Sequence, residues 1–164
     1  MKFVTREHHV LLIIKFIFVI MLLIWCLGIF LPILVQSGDR TIANPTFIKK
    51  IYSPFCHQDE EKSIKINGSL LPVCSRCTGI YSGSLLISII LLVFRKTPYL
   101  KFSSITLLSL PMLIDVLGYS VGLYSYSKTI ALITGFIFGS MIFLVIFEAV
   151  ETSLIKDIKT ENVQ

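Results

Sequence analysis

The chain has 164 residues, 54% of them hydrophobic, a formal net charge of +5 and a mean hydropathy of +0.82. Soluble domains carry about 45–50% apolar residues with glycine included, and here the excess is gathered into blocks long enough to span a bilayer. The length leaves room for one domain, and the fifteen Lys and Arg are scattered between apolar blocks, without the basic stripe and interleaved aromatics of a nucleic-acid binder; they are expected to anchor the chain beside anionic lipid.

The pattern predicts an all-α polytopic membrane bundle, with residues 1–164 as a single membrane domain of four transmembrane helices and a Cys-rich loop over 36–78 between the first two. The first span covers about 10–35. It is too long for the core of a secretory signal, about 7–15 residues, so Val35-Gln36-Ser37 is read as uncleaved chain. Lys15, one turn inside, is expected to snorkel to the interface. Cys26 reads as a small buried apolar residue.

The second span covers about 79–94 and stops at Arg95-Lys96, the third covers about 102–124, and the fourth about 129–147. Pro111 is expected to kink the third. The charged residues from Glu148 onward read as a frayed helical extension. Gly79/Gly83, Gly118/Gly122 and Gly135/Gly139 each place two glycines on one helix face, where a neighbouring backbone can approach closely. They predict a compact bundle or, as a second reading, a homo-oligomer formed through those faces. The short basic loop Arg95 to Lys101 lies on the side of the termini, and short loops weigh most in the positive-inside rule. The expectation is a multi-pass protein of the cell membrane with cytoplasmic termini and the cysteine loop outside.

That loop carries Cys56, His57, Cys74 and Cys77. Asn67-Gly68 between short apolar runs signals a hairpin, which would bring Cys74 and Cys77 to the mouth of the second span. Cys74-x-x-Cys77 has the spacing of a zinc knuckle and of a redox pair. Thr78 stands where a c-type haem site needs histidine. Two metal arrangements follow. Cys56, His57, Cys74 and Cys77 close a tetrahedral site, or the three thiolates bind alone and His57 stands behind them, leaving a position for water or substrate. A disulfide from Cys56 to Cys74 or Cys77 is the competing reading, because an outside loop is oxidising.

Asp115 is the acidic residue well inside a span, where charge is expensive and marks either function or a buried pair. It lies about 20 Å past Phe102 at 1.5 Å per residue, in the bilayer half nearer the cysteines. Arg76, Tyr81, Asp115 and Lys128 can therefore converge on the thiols. Asp115 would pair with Arg76 or Lys128, take a proton, or ligate the metal, and Arg76 would hold an anionic group.

The runs Cys56-His57-Gln58, Leu71-Pro72-Val73-Cys74-Ser75-Arg76-Cys77-Thr78-Gly79-Ile80-Tyr81-Ser82-Gly83, Leu110-Pro111-Met112-Leu113-Ile114-Asp115 and Thr134-Gly135-Phe136-Ile137-Phe138-Gly139 together resemble the bacterial and archaeal membrane proteins of domain-of-unknown-function family 2085. The resemblance implies a small multi-span membrane protein and no established activity. The chain departs from the family pattern at Val116, where glycine is usual, and at Ala131, where arginine is usual. The second change removes a partner for Asp115 that Lys128, one turn earlier, would replace.

The residues thus support an integral membrane protein with a Cys/His zinc site at one membrane face. If the site is catalytic, metal-bound water would act on a lipid or lipid-linked substrate, with His57 or Asp115 as general base and Arg76 on the substrate. The alternatives are a thiol–disulfide protein using Cys74 and Cys77 with Cys56, and a small transport or structural subunit with Asp115 as an ion or proton relay.

Overall fold

A computed structural model of the protein describes residues 2–34, 45–66, 68–94 and 97–161. In these residues the order is α1 Lys2–Leu34, α2 Pro45–Tyr52, β1 Ser63–Ile66, β2 Ser69–Cys74, α3 Ser75–Val93, α4 Phe102–Ser120 and α5 Lys128–Glu161. Four helices are long and apolar enough to cross a membrane, over His9–Ile33, Ser75–Val93, Phe102–Ser120 and Lys128–Lys156. The fold is therefore the expected all-α, four-span architecture with the cysteine loop between its first two spans. The expectations attached to Val35-Gln36-Ser37, Asn67 and Arg95-Lys96 fall outside the described residues.

The element ends differ from the hydropathy blocks for local reasons. α3 begins at Ser75 rather than near Gly79, so Cys77 sits in its first turn. The antiparallel hairpin pairs Ser63 with Cys74 and delivers Cys74 in extended geometry as the N-cap. The Ser75 N–H and hydroxyl both donate to the Lys62 carbonyl, at 2.9 and 2.7 Å. α4 ends at Ser120, short of Tyr124, because Gly122 turns left-handed at φ +76°. Gly122 N–H then reaches Tyr119 O (3.1 Å) and Leu123 N–H reaches Gly118 O (2.9 Å), the paired bonds of a glycine C-cap. α5 continues past Phe147 to Glu161 instead of fraying. Glu148 and Glu151 of α5 serve the α3–α4 connection: Thr97 gives its N–H and hydroxyl to Glu151, and the Leu100 N–H points at Glu148 (3.5 Å). Pro111 lies within α4, which continues beyond it.

The bundle is built on a seam between α3 and α5. A methyl group added to Gly79 would stand 2.2 Å from Leu132 O, and one on Gly83 would stand 2.3 Å from Phe136 O. From the other side, Gly135 meets Arg76 O at 2.4 Å and Gly139 meets Ile80 O at 2.2 Å by the same measure. Both glycine pairs are thus used inside the chain, backbone against backbone, and Ser84 adds a buried hydrogen bond to Gly139 O (3.0 Å). The third pair divides: Gly122 faces open space as the α4 cap, and Gly118 backs onto the Tyr124 ring.

α1 packs along α3, and α4 packs on α5. At one end Phe18 of α1 meets Phe143 and Phe147 of α5 edge-on, at 5.8 and 5.9 Å. At the other, Ile29, Ile48, Tyr52, Cys56, Leu71 and Val73 form a core under the hairpin. Lys15 does not snorkel. It is 3% exposed and donates to Phe94 O at 2.7 Å, satisfying a carbonyl at the C-terminal end of α3. The outer faces of α1 and α4 leave Phe16, Ile24, Leu107 and Ile114 exposed, as lipid-facing helices do.

The seam makes a direct prediction. Gly79→Val or Gly139→Val should cost about 2–3 kcal/mol through overpacking, whereas Gly122→Ala should cost about 1–2 kcal/mol through its left-handed backbone alone. Circular-dichroism unfolding in detergent tests this, and wild-type behaviour of both valine variants would contradict the seam.

Candidate metal centre

Three separate elements carry the thiols. Cys56 follows α2, where Phe55 N–H and Cys56 N–H both return to Tyr52 O at 3.1 Å. The chain then reverses at Gln58, a non-glycine residue at φ 53°, in the sparsely populated left-handed region. Its side-chain amide donates to Lys49 O at 2.5 Å, tying the reversal to α2. Cys74 ends β2 and Cys77 lies in the first turn of α3. The Sγ atoms of Cys56, Cys74 and Cys77 lie within 4.8 Å of one another, and all three cysteines are free thiols.

Cys56 is buried beneath the hairpin, and the Cys74 N–H points at its sulfur (3.2 Å). Hydrogen bonds from the Cys74 thiol, then the Cys77 thiol, hold the Cys56 thiol well below its ordinary range. Cys74 is pushed up in return, since its proton is shared toward Cys56. A cluster in which one sulfur ionises readily while its neighbours donate to it has the chemistry of a metal-ligand or thiol-exchange site. His57 is exposed and stands outside the three-sulfur group, although it lines the same cavity of about 630 Å³.

Arg76 and Asp115, placed as candidates by sequence, form an ion pair with Nη2 2.5 Å from Oδ2. Asp115 is 4% exposed, and its other oxygen accepts the Tyr124 hydroxyl, which also lies 2.7 Å from the Asp115 carbonyl. Lys128 does not join them; it donates to Ser63 O at 2.7 Å, fastening α5 to the hairpin. The partner lost at Ala131 is thus supplied by Arg76. Tyr81 packs edge-on against Trp25 at 5.9 Å and belongs to the packed cluster that includes Cys56, Cys74 and Cys77. Sequence reasoning missed Tyr124, Gln58 and Met112, which lines the cavity from α4. The Cys56-His57-Gln58 and Leu110–Asp115 runs held Gln58 and Met112 without giving either a role.

The family described as "Predicted membrane protein (DUF2085)" matches residues 56–145. The chain belongs to this family. The matched segment opens at Cys56 and takes in the three thiols, the Arg76–Asp115 pair and both glycine pairs of the seam. The chain is also similar to an uncharacterized protein, MJ1492, of Methanocaldococcus jannaschii, 35% identical over 100 residues, 59% of this chain and 62% of that protein. A second uncharacterized protein, from Methanothermobacter thermautotrophicus, is 52% identical over 29 residues, 18% of this chain and 26% of its own. The chain therefore spans less than two thirds of either relative. No solved structure matches it.

Removing one member of the ion pair leaves a buried charge, so Asp115→Ala should cost about 3–5 kcal/mol, and replacing both partners with apolar residues, as in Arg76→Met with Asp115→Leu, should cost markedly less. Unfolding of both variants in detergent tests the coupling, and equal losses would contradict it.

Proposed function

We propose that the chain is a membrane metal-binding protein in which Cys56, Cys74 and Cys77 hold one zinc ion as thiolates at the edge of the bilayer. The observation that carries this reading is the convergence of the sulfurs within 4.8 Å. Zinc–sulfur bonds of about 2.3 Å in tetrahedral geometry require sulfurs about 3.8 Å apart, so closure needs movements of an ångström or less. The donor set, three cysteine sulfurs already gathered in a hydrogen-bonded cluster, suits zinc once the thiols give up their protons. Of the two arrangements, the geometry favours three thiolates with His57 on the cavity wall beside the remaining position. Zinc there would act as a Lewis acid toward an oxygen at that position. His57 and Arg76 would contact what enters the cavity; Asp115, committed to Arg76 and Tyr124, holds Arg76 in place.

The same sulfur distance serves thiol–disulfide exchange, with the acidified Cys56 as nucleophile. Three converging thiols favour the metal, since a disulfide uses two and leaves one over. In this reading the termini are cytoplasmic, following the short basic Arg95–Lys101 loop.

Elemental analysis of protein purified in mild detergent under reducing conditions should give one zinc per chain. Cys56→Ser, Cys74→Ser and Cys77→Ser should each lose it, while His57→Ala should retain it. A folded, zinc-free wild type that shifts on non-reducing gels would replace this reading with the redox one, and zinc loss in His57→Ala would make His57 the fourth ligand.

A further inference from the structure

The cavity beside the thiols has two unlike ends. Its polar end holds Arg76 and Lys62, with the Asp59 carboxylate on the same wall; its apolar end runs along Ile80 of α3 and Met112 of α4. Ile80 lies about 8 Å inside the start of the α3 span and Met112 about 12 Å inside the end of α4 at 1.5 Å per residue, so that end lies at the depth of lipid chains.

The mouth also faces lipid. α2 is fastened to α1 where the Tyr52 hydroxyl donates to Trp25 O at 2.8 Å. The α1 span continues to Ile33, about 12 Å beyond Trp25 at 1.5 Å per residue. α2 is therefore sunk below the end of that span. Phe47, Ile51 and Phe55, spaced at i, i+4 and i+8, are turned outward and exposed, as are Ile24 and Leu27 of α1. Such a surface belongs among headgroups and upper chains, and Phe55 is on the rim of the cavity.

The polar end keeps donors for an anion. A carboxylate can take a guanidinium in a two-pronged fork, but Tyr124 occupies the second oxygen of Asp115. Arg76 is left with one prong engaged; its Nε is buried without a hydrogen-bond partner among the described residues, and its side chain stays 20% exposed. Lys62 pairs with Asp59 at 3.0 Å with both side chains part-exposed, an arrangement that a stronger anion can displace at little cost.

We infer that this cavity binds an anionic amphiphile drawn from the bilayer, its phosphate-bearing headgroup between Arg76 and Lys62 beside the thiols and its chain along Ile80 and Met112. The inference rests on the cavity being the working site proposed above and supplies the class of ligand.

The test uses Trp25, the single tryptophan, whose ring lies 5.3 Å from that of Phe55. Full-length protein in phosphatidylcholine nanodiscs is titrated with dioctanoyl phosphatidylglycerol or with inorganic phosphate, and Trp25 emission is followed. The short-chain lipid should give a saturable shift and inorganic phosphate none. Arg76→Gln and Met112→Trp (the latter read by a change in half-saturation) should each weaken binding about tenfold or more, the equivalent of roughly 1.4 kcal/mol. Met112→Trp spares the Arg76–Asp115 pair, so it answers the question if Arg76→Gln fails to fold. No saturable shift, an equal response to inorganic phosphate, or an unchanged half-saturation in folded Met112→Trp would each overturn the inference. Zinc content measured on the same samples separates the two readings: zinc without lipid binding removes this one, and lipid binding without zinc removes the metal.

Discussion

The close approach of α3 and α5 is the constraint on which the site depends. In a bilayer, helices gain nothing from burying apolar side chains against one another rather than against lipid, so packing and short contacts decide association. Four glycines let carbonyls of the opposite helix come to distances that any side chain would block. Two of the carbonyls involved, those of Arg76 and Ile80, bracket Cys77. The seam therefore sets the height and rotation of the first turn of α3, and with them the position of one sulfur and one guanidinium. The hairpin sets a second sulfur directly, because Cys74 ends a strand and opens this helix without an intervening linker.

α4 is held differently. Within it Asp115 and Gly118 are the buried residues, so an ion pair and a tyrosine take the place of an apolar core. This suits an element that borders a cavity, since a helix fixed at one buried point can line an opening without sealing it. The polar contacts are concentrated where α3, α4 and the turn before α5 meet.

Much of this was legible in the sequence for identifiable reasons. Apolar blocks of spanning length suit a bilayer and little else, Cys74-x-x-Cys77 is a chemical motif, and glycines four apart declare a packing face. The failures were partly long-range and partly local. A lysine near the end of a span invited a path to water, yet Lys15 found a carbonyl 79 positions away in the chain. Gly118 and Gly122 matched the packing pattern, but the second serves a helix end, which spacing alone does not reveal. α2 has eight residues, too few for its period to stand out. Tyr124 reaches Asp115 only because the α4 cap folds the chain back, which no spacing in the sequence announces.

The Lys15–Phe94 contact also fixes a length. It marks one end of α3, and the sulfurs mark the other, with 19 helical residues between, about 28 Å at 1.5 Å per residue. The α1 span is 25 residues long, so α1 must tilt to share the same hydrocarbon slab. α3 thereby acts as a gauge of bilayer thickness: in a thin membrane the sulfurs ride at the headgroups, and in a thick one they are drawn beneath them. A bilayer matched to the length of α3 would hold the cysteines at its edge, within reach of ions and water.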